Sequence, residues 1–435
     1  MANTKRQNLG GDDRVAIIAG VRTPFVKAWS EFREFNEADL ARTTLNELLN
    51  RVDFDPREIG EVVMGCVSAP MNGPNVAREA VLRSQVPNDV PAYSVQAYCA
   101  SSAQAVVNAA GDILMGACDI AVAGGVESMS SAQARVSLSL SQALNDAAKA
   151  RSLPERLKAF ADVKLEDLKP DVPSIAEPTT GLSMGESAEE MAKQYGITRV
   201  AQDEYAEMTH HRADAAHREG RFAEVFTTLA GPDFGIAVER DTLVRGDTSV
   251  EKMAKLRPVF DKKHGTITAA NASPLTDGAS AVLLMRESRA RELGLEPVAF
   301  LRSHAFVALD LFKHAMLLGP TLATPMALTR AGVEFGDLDL IEMHEAFAAQ
   351  VLANIEIWRS KKLCAEIGLD QAIGEIDYDT FNVNGGSIPI GHPFGATGAR
   401  LVMQLAYEMQ RRDQNLGLLT ACAAGGLGLS MVLER

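Results

Sequence analysis

Apolar positions along this chain follow two spacings, one of strands and one of helices, and the sequence of spacings occurs twice. Arg14–Gly20 (RVAIIAG) is an apolar run that predicts a buried strand. Leu40, Leu45, Leu48 and Leu49 fall at helical spacing within Asp39–Asn50. A second strand is predicted at Glu61–Val67, an extended stretch at Ala92–Gln96 and an Ala-rich helix at Cys99–Met115. Asp119–Ala123 predicts a strand that ends in Gly124-Gly125. The second half repeats the order: a helix at Pro325–Ala331, a strand at Leu338–Met343, and an approach over Asn382–Ile390 to a helix at Gly395–Met409. A strand at Leu416–Thr420 then leads to Gly425-Gly426. Each half closes with one more strand, Ala279–Met285 and Leu429–Leu433. The alternation predicts an α/β architecture with mostly parallel sheets, and the repeat predicts two similar packed units.

Between the repeats, roughly Ser130–Thr266 is richer in charge and methionine. Glu186–Tyr195 and Arg199–Glu219 read as amphipathic helices with solvated faces. The stretch reads as a lid or loop domain inserted in the first half. The expected boundaries are 14–287 for the first half, with the insertion at about 130–266, and 296–435 for the second.

Composition narrows the function classes. The 435 residues are 46% hydrophobic and 23% charged, an ordinary globular balance. A net charge of −14 argues against a nucleic-acid partner, which needs clustered Lys and Arg, but leaves room for an anionic small ligand on a local patch. Five scattered cysteines do not form a disulfide framework and point to a reducing compartment. The opening MANTKRQNLGGDDR has neither the apolar core of a secretory signal nor an Arg-rich amphipathic pattern. No apolar run reaches the length of a membrane span. A soluble cytoplasmic protein is expected.

Candidate chemistry gathers at the strand–helix junctions. Cys99 stands where an extended segment meets a helix, and the positive end of a helix dipole favours the nucleophilic thiolate. Taken alone, a buried structural thiol is the commoner reading of such a cysteine. His392, in NGGSIPIGHPFGATGAR, holds the corresponding place in the second half. It reads equally as a turn histidine with a structural hydrogen bond. Cys422 stands at the end of a predicted strand, where α/β sites collect. His344-Glu345 begins like a zinc-protease motif, but Ala348 stands where that motif needs its second histidine. His210, His211 and His217 lie on a charged helix and read as a solvated face. With no Cys-x-x-Cys pair, no metal is expected. Two thiols and two histidines thus fall at corresponding junctions, which a pseudo-twofold packing of the halves would bring together.

These segments resemble the thiolase family over nearly the whole chain, Arg14 to Glu434. AYCASSAQAVVNAA resembles the nucleophile segment, NASPLTDGASAV the end of the first half, and MHEAFAAQ the segment usually read as Asn-Glu-Ala-Phe. NGGSIPIGHPFGATGAR resembles the histidine segment and CAAGGLG that of the second cysteine. His344 in place of Asn, and the long Ser137–Ala176 segment, resemble the β-subunits of fatty-acid β-oxidation complexes. Ala423-Ala424 departs from the family's Gly after the second cysteine but keeps the backbone N–H groups.

The resemblance implies a thiolase fold, two similar halves in a five-layered αβαβα arrangement with an inserted loop domain. It implies thiolytic cleavage of a 3-oxoacyl-CoA by CoA to acetyl-CoA and an acyl-CoA two carbons shorter. Cys99 would be the nucleophile, His392 its base and Cys422 the second acid/base. The N–H groups of Cys99 and Ala424 would form one oxyanion hole, and His392 with His344 the other. Ser273, Met184 and Asn384 would line the substrate site. CoA is a substrate, so no cofactor is expected. Its phosphates would need Lys149, Arg151, Arg156 and Lys158, or Arg245, Lys252, Lys255 and Arg257. The implied partners are a second copy of the chain and an α-subunit with hydratase and dehydrogenase activities. Ser152–Pro170 is a docking segment for that partner or a membrane surface, or else a lid over the site. Rival readings are condensation of two acetyl-CoA units, a carrier-protein ketosynthase, and a catalytically silent acyl-CoA-binding subunit.

Overall fold

A computed structural model of the chain describes residues 13–133, 136–169, 177, 179–223, 225–227, 229–230 and 237–435. The strands that carry the site are β1 (Val15–Arg22), β2 (Glu61–Gly65), β3 (Ala92–Val95), β4 (Ile120–Glu127), β5 (Thr276–Arg286), β6 (Ala299–Ala308), β7 (Leu340–Met343), β8 (Leu416–Ala423) and β9 (Leu427–Glu434). The principal helices are α1 (Glu37–Arg51), α2 (Val76–Arg83), α3 (Ser101–Met115), α4 (Leu138–Lys149), α5 (Leu153–Lys158), α6 (Met184–Gln194), α7 (Arg199–Arg218), α8 (Gly319–Ala331), α9 (Ala348–Arg359) and α10 (Thr397–Arg412).

The strands lie in the order β7-β8-β9-β6-β1-β5-β4-β2-β3, and the short strand Val26–Lys27 pairs with the start of β5. Each half contributes parallel pairs, β2 with β3 and β4, and β7 with β8. The closing strands β5 and β9 run antiparallel to their neighbours. The half-sheets meet where Val15, Ala16 and Ile17 of β1 pair with Leu301, Phe300 and Ala299 of β6.

Strand residues are buried on both faces, which is why they read as apolar runs. Val15 and Ile17 face an inner core shared with Ala103 and Val106 of α3 and with Leu401 and Leu405 of α10. Ala16 and Ile18 face an outer core with Leu40 and Leu45 of α1 and Ala77 of α2. Val432 of β9 faces another outer core with Ala327 and Leu328 of α8. The result is five layers: α1 with α2, the first half-sheet, α3 with α10, the second half-sheet, and α8.

The described chain divides into two compact units, Ala132–Ser183 and the remainder. The smaller unit carries α4 and α5, with Leu153, Leu157 and Leu165 exposed. Helices α6 and α7 belong to the larger unit, so the separate unit is shorter than the stretch of unusual composition. Among the described residues no helix is long and apolar enough to cross a membrane. All five cysteines are free thiols.

Candidate active site

The first half presents Cys99 on a strained turn between β3 and α3. Tyr98 adopts φ 49°, a left-handed conformation that a bulky residue rarely takes. Ser101 pins the turn, accepting from the Ala97 N–H (2.9 Å) and donating to the Tyr98 carbonyl (2.6 Å). Ala100 caps α3, so Cys99 sits just outside the first helical turn.

The second half brings His392 in from the opposite side. The segment before α10 passes over the end of β4, and the first turn of α10 crosses α3, so closely that side chains cannot fit. A Cβ on Gly125 would stand 1.9 Å from the Gly395 carbonyl oxygen, and one on Gly398 would stand 2.4 Å from the Ala103 nitrogen. The Ala399 N–H donates to Ser102 Oγ (2.9 Å), which locks the two helix starts together. Buried Glu127 accepts from the Val67, Ser68 and Gly395 N–H groups and so ties the exit of β2 to the histidine loop. Its carboxyl is pushed up to about 7 by burial.

His344 enters at the end of β7 and is fully buried. Its ring centroid lies 4.1 Å from that of His392. The Cys99 Sγ and one ring nitrogen from each histidine lie within 4.8 Å of one another. The Nδ1 atoms are bonded elsewhere, His392 to Thr397 Oγ1 (2.7 Å) and His344 to Ser387 Oγ (2.9 Å). Both Nε2 atoms are buried without a partner.

A carboxylate hub fixes the His344 segment. Glu345, fully buried, accepts from Tyr205 Oη (2.7 Å), Thr209 Oγ1 (2.9 Å), Asn382 Nδ2 (2.9 Å) and the Ile388 N–H (3.1 Å). Tyr205 and Thr209 lie on the buried face of α7, the amphipathic helix expected at Arg199–Glu219. The three histidines of α7 also separate. Buried His210 Nδ1 accepts from the Arg245 N–H, exposed His211 meets the Thr248 carbonyl, and His217 pairs with Asp241.

The other expected residues divide. Ser273 is half-buried in a strip that joins the two histidine segments: its N–H donates to the Ala346 carbonyl (2.9 Å), Ala272 bridges to Phe347 and Leu275 to His392. Met184, at the start of α6, shares an apolar cluster with Cys422, Ala346 and Phe347. Ala424 lies in the turn after β8, where its backbone N–H favours the ionised form of the Cys99 sulfur. Asn384 does not join the set. Its amide donates to Glu408 (2.8 Å) and accepts from Arg221 (3.0 Å), so both of its polar ends are taken up by another group of side chains. Asn382, two residues earlier, serves the site instead, through Glu345 and the Met343 backbone. Its φ of 44° is the local mark of that role.

Burial dominates the electrostatics. The Cys99 thiol is pushed up to about 12 by burial, against which the N–H groups of Ala424 and Cys99 act only in part. The helix start therefore does not yield a resting thiolate. Cys422 is also pushed up, first by burial and then by Cys99 nearby. Burial, with the Arg400 cation, brings His392 down to about 3; His344 falls too, through burial, His392 and Arg400. The resting site is an uncharged set of two thiols and two imidazoles. Buried Arg400 is the nearby cation.

The family model of the thiolase N-terminal domain matches residues 15–288, and that of the C-terminal domain matches residues 295–435. The chain belongs to the thiolase family. A 3-ketoacyl-CoA thiolase of Aeromonas salmonicida is 50% identical over 424 residues, 97% of each chain. One from Shewanella pealeana is 49% identical over 423 residues, again 97% of each. Among solved thiolase-fold structures, the Bacillus anthracis acetyl-CoA acetyltransferase superimposes with a TM-score of 0.84 at 31% identity, over 97% of this chain and 98% of that one. Human mitochondrial 3-ketoacyl-CoA thiolase in complex with CoA gives 0.82 at 28% identity, with the same coverage. This thiolase therefore shares its family and fold with proteins named for either direction of the carbon–carbon step.

Proposed function

We propose that the chain cleaves 3-oxoacyl-CoA with CoA, giving acetyl-CoA and a chain-shortened acyl-CoA, in fatty-acid β-oxidation. The observation that carries this is the convergence of the Cys99 sulfur with two imidazoles, beside the Ala424 N–H. The relatives at about half identity along nearly the whole chain bear the same activity as their name.

The residues divide the work as follows. His392 Nε2 takes the Cys99 proton as the sulfur bonds to the 3-keto carbon, so charge never has to rest on the half-buried thiol. The oxyanion that forms at the 3-keto oxygen lies against the N–H groups of Cys99 and Ala424, and the enolate oxygen of the departing acetyl-CoA is met by His392 and His344. Breaking the C2–C3 bond leaves the acyl group on Cys99 and expels the enolate of acetyl-CoA, which Cys422 protonates. Cys422 then takes the thiol proton of incoming CoA, whose sulfur attacks the acyl-enzyme and expels the Cys99 sulfur, which takes its proton back from His392. The oxyanion of this attack arises on the same acyl oxygen and uses the same N–H groups of Cys99 and Ala424. Every proton moves between groups already present, so the reaction calls for no metal or further cofactor. Ser273 and Met184 would flank the pantetheine arm.

Condensation of two acetyl-CoA units uses the same residues in reverse, and the acetyltransferase likeness supports it as a second reading. Purified protein with CoA and either acetoacetyl-CoA or longer 3-oxoacyl-CoAs separates the two. Loss of the 3-oxo absorbance should be faster with the longer substrates. A preference for the four-carbon substrate alone would favour condensation, and no loss with any substrate would remove the thiolase reading.

The working unit is a homodimer in this reading. Among the described residues no strand lies beyond β3 at this end of the sheet, and Tyr93 on it is exposed. Light scattering across a dilution series should give twice the mass of one chain; a stable, active monomer would refute the dimer. The exposed leucines of Ser152–Pro170 support docking of an α-subunit there. Five free thiols support a reducing compartment such as the cytoplasm.

A further inference from the structure

We propose that two buried hydroxyls hold His392 and His344 in opposite tautomers, so that His392 turns a lone pair and His344 an N–H toward Cys99. The functional meaning of this rests on the thiolase reading above; the tautomers themselves follow from proton counting in the resting protein.

The first count concerns Thr397. Its Oγ1 lies 3.0 Å from the Pro393 carbonyl oxygen, which can only accept; that oxygen already takes the Ala396 and Thr397 N–H groups (2.9 and 3.1 Å), and the hydroxyl proton is assigned to it as a third donor. The same oxygen lies 2.7 Å from His392 Nδ1. With its proton committed, Thr397 can only accept from that nitrogen, and Nδ1 must carry the hydrogen. His392 Nε2 is then a bare lone pair, buried and unpartnered.

The second count concerns Ser387, also fully buried. Its Oγ lies 2.7 Å from an Arg400 terminal nitrogen, and a guanidinium only donates. The remaining neighbour is His344 Nδ1 at 2.9 Å, the sole acceptor among the described residues in reach of the Ser387 proton. A buried hydroxyl left without an acceptor is costly, so Ser387 donates to Nδ1 and the ring hydrogen sits on Nε2. The Arg400 cation beside Ser387 works in the same sense, since it disfavours a hydrogen on the near side of the ring. Arg400 is itself held by Gln404 Oε1 at 3.2 Å, next to Glu342.

The two histidines therefore start with the division of labour that cleavage needs. A His344 ring turned to the other tautomer would present a lone pair to a developing oxyanion and repel it. Thr397, Ser387 and Arg400 are positioning residues: they act through the rings and touch no substrate in this account. None of them stands out in sequence, because each lies in a Gly-rich or helical segment where a small hydroxyl or an arginine looks ordinary.

The test reads the tautomers directly. Full-length protein labelled with 15N-histidine is examined at rest by long-range proton–nitrogen correlation, with assignment by loss of signals in His344→Asn and His392→Asn. The expected spectrum has a pyrrole-type Nε2 and imine-type Nδ1 for His344, and the reverse for His392. Like tautomers in both rings would overturn the proposal. Ser387→Ala should mix the His344 tautomers and lower kcat about 10- to 100-fold, with KM changed less than about twofold. Ser387→Thr, which keeps the hydroxyl, should restore both the spectrum and kcat. Ser387→Ala with unchanged tautomers would also overturn it. Cleavage of 3-oxoacyl-CoA by the same wild-type sample is measured alongside. Opposite tautomers without cleavage would sink the thiolase reading alone; cleavage with like tautomers would sink this proposal alone.

Discussion

Cys99→Ser is expected to fold like the parent and to lose turnover by at least about 10³-fold. The fold should survive because serine is slightly smaller and still offers an acceptor to the Ala424 N–H, the group that acts on the sulfur. Turnover should not survive because the site has no acidity in reserve. Burial already lifts the thiol to about 12 and lowers His392 to about 3, so proton transfer succeeds only as the carbon–sulfur bond forms. A hydroxyl starts several units less acidic and is the poorer nucleophile. Loss of the 3-oxo absorbance checks the rate, and denaturant unfolding checks the fold. Activity within tenfold of the parent would remove Cys99 from the chemistry.

The second large effect is expected at Cys422. Cys422→Ala should lower overall turnover by about 10²–10⁴-fold, the range of a lost general acid/base. It should nevertheless leave Cys99 open to acylation from a simple acyl-CoA. Cys422 sits at the end of β8 in the cluster with Met184 and Phe347, close enough to Cys99 to be raised by its charge. The separating assay is exchange of the α-protons of acetyl-CoA in deuterated water. Exchange should fall with turnover; exchange at the parent rate would mean that another group carries that proton.

Much of this was legible in the chain because burial leaves periodic traces. Strands β1, β4, β5, β8 and β9 read as apolar runs because helices cover both of their faces. The helix starts near Cys99 and His392 were legible because small residues cluster where two backbones cross. Strand β6 was not, since Arg302 and His304 interrupt its apolar pattern; half of its positions face partly outward. The role of α7 was hidden for a different reason. Tyr205 and Thr209 look like polar positions on a charged helix, and their partner Glu345 is more than 130 residues away.

The site shows the same division. Residue types and junctions pointed to Cys99, His392, Cys422 and His344. The N–H groups at the helix start act on Cys99 in the expected sense, but the burial that opposes them is not legible in the sequence. Asn384 came from resemblance alone, and the structure bonds it to Glu408 and Arg221; the nearby Asn382 carries the link to Glu345. In an irregular loop, two residues of separation turn a side chain into a different environment. The hydroxyls of Thr397 and Ser387 became visible only through their distances to ring nitrogens and their other partners.

In the proposed reaction, catalysis passes through an acyl group on Cys99. The most direct measurement mixes the protein with a long 3-oxoacyl-CoA without free CoA, quenches in acid within seconds, and maps the modified peptide by mass spectrometry. The expected result is the chain-shortened acyl group on Cys99, lost when CoA is added before the quench. Acyl found on Cys422 alone, or cleavage with no acyl on any cysteine, would contradict it.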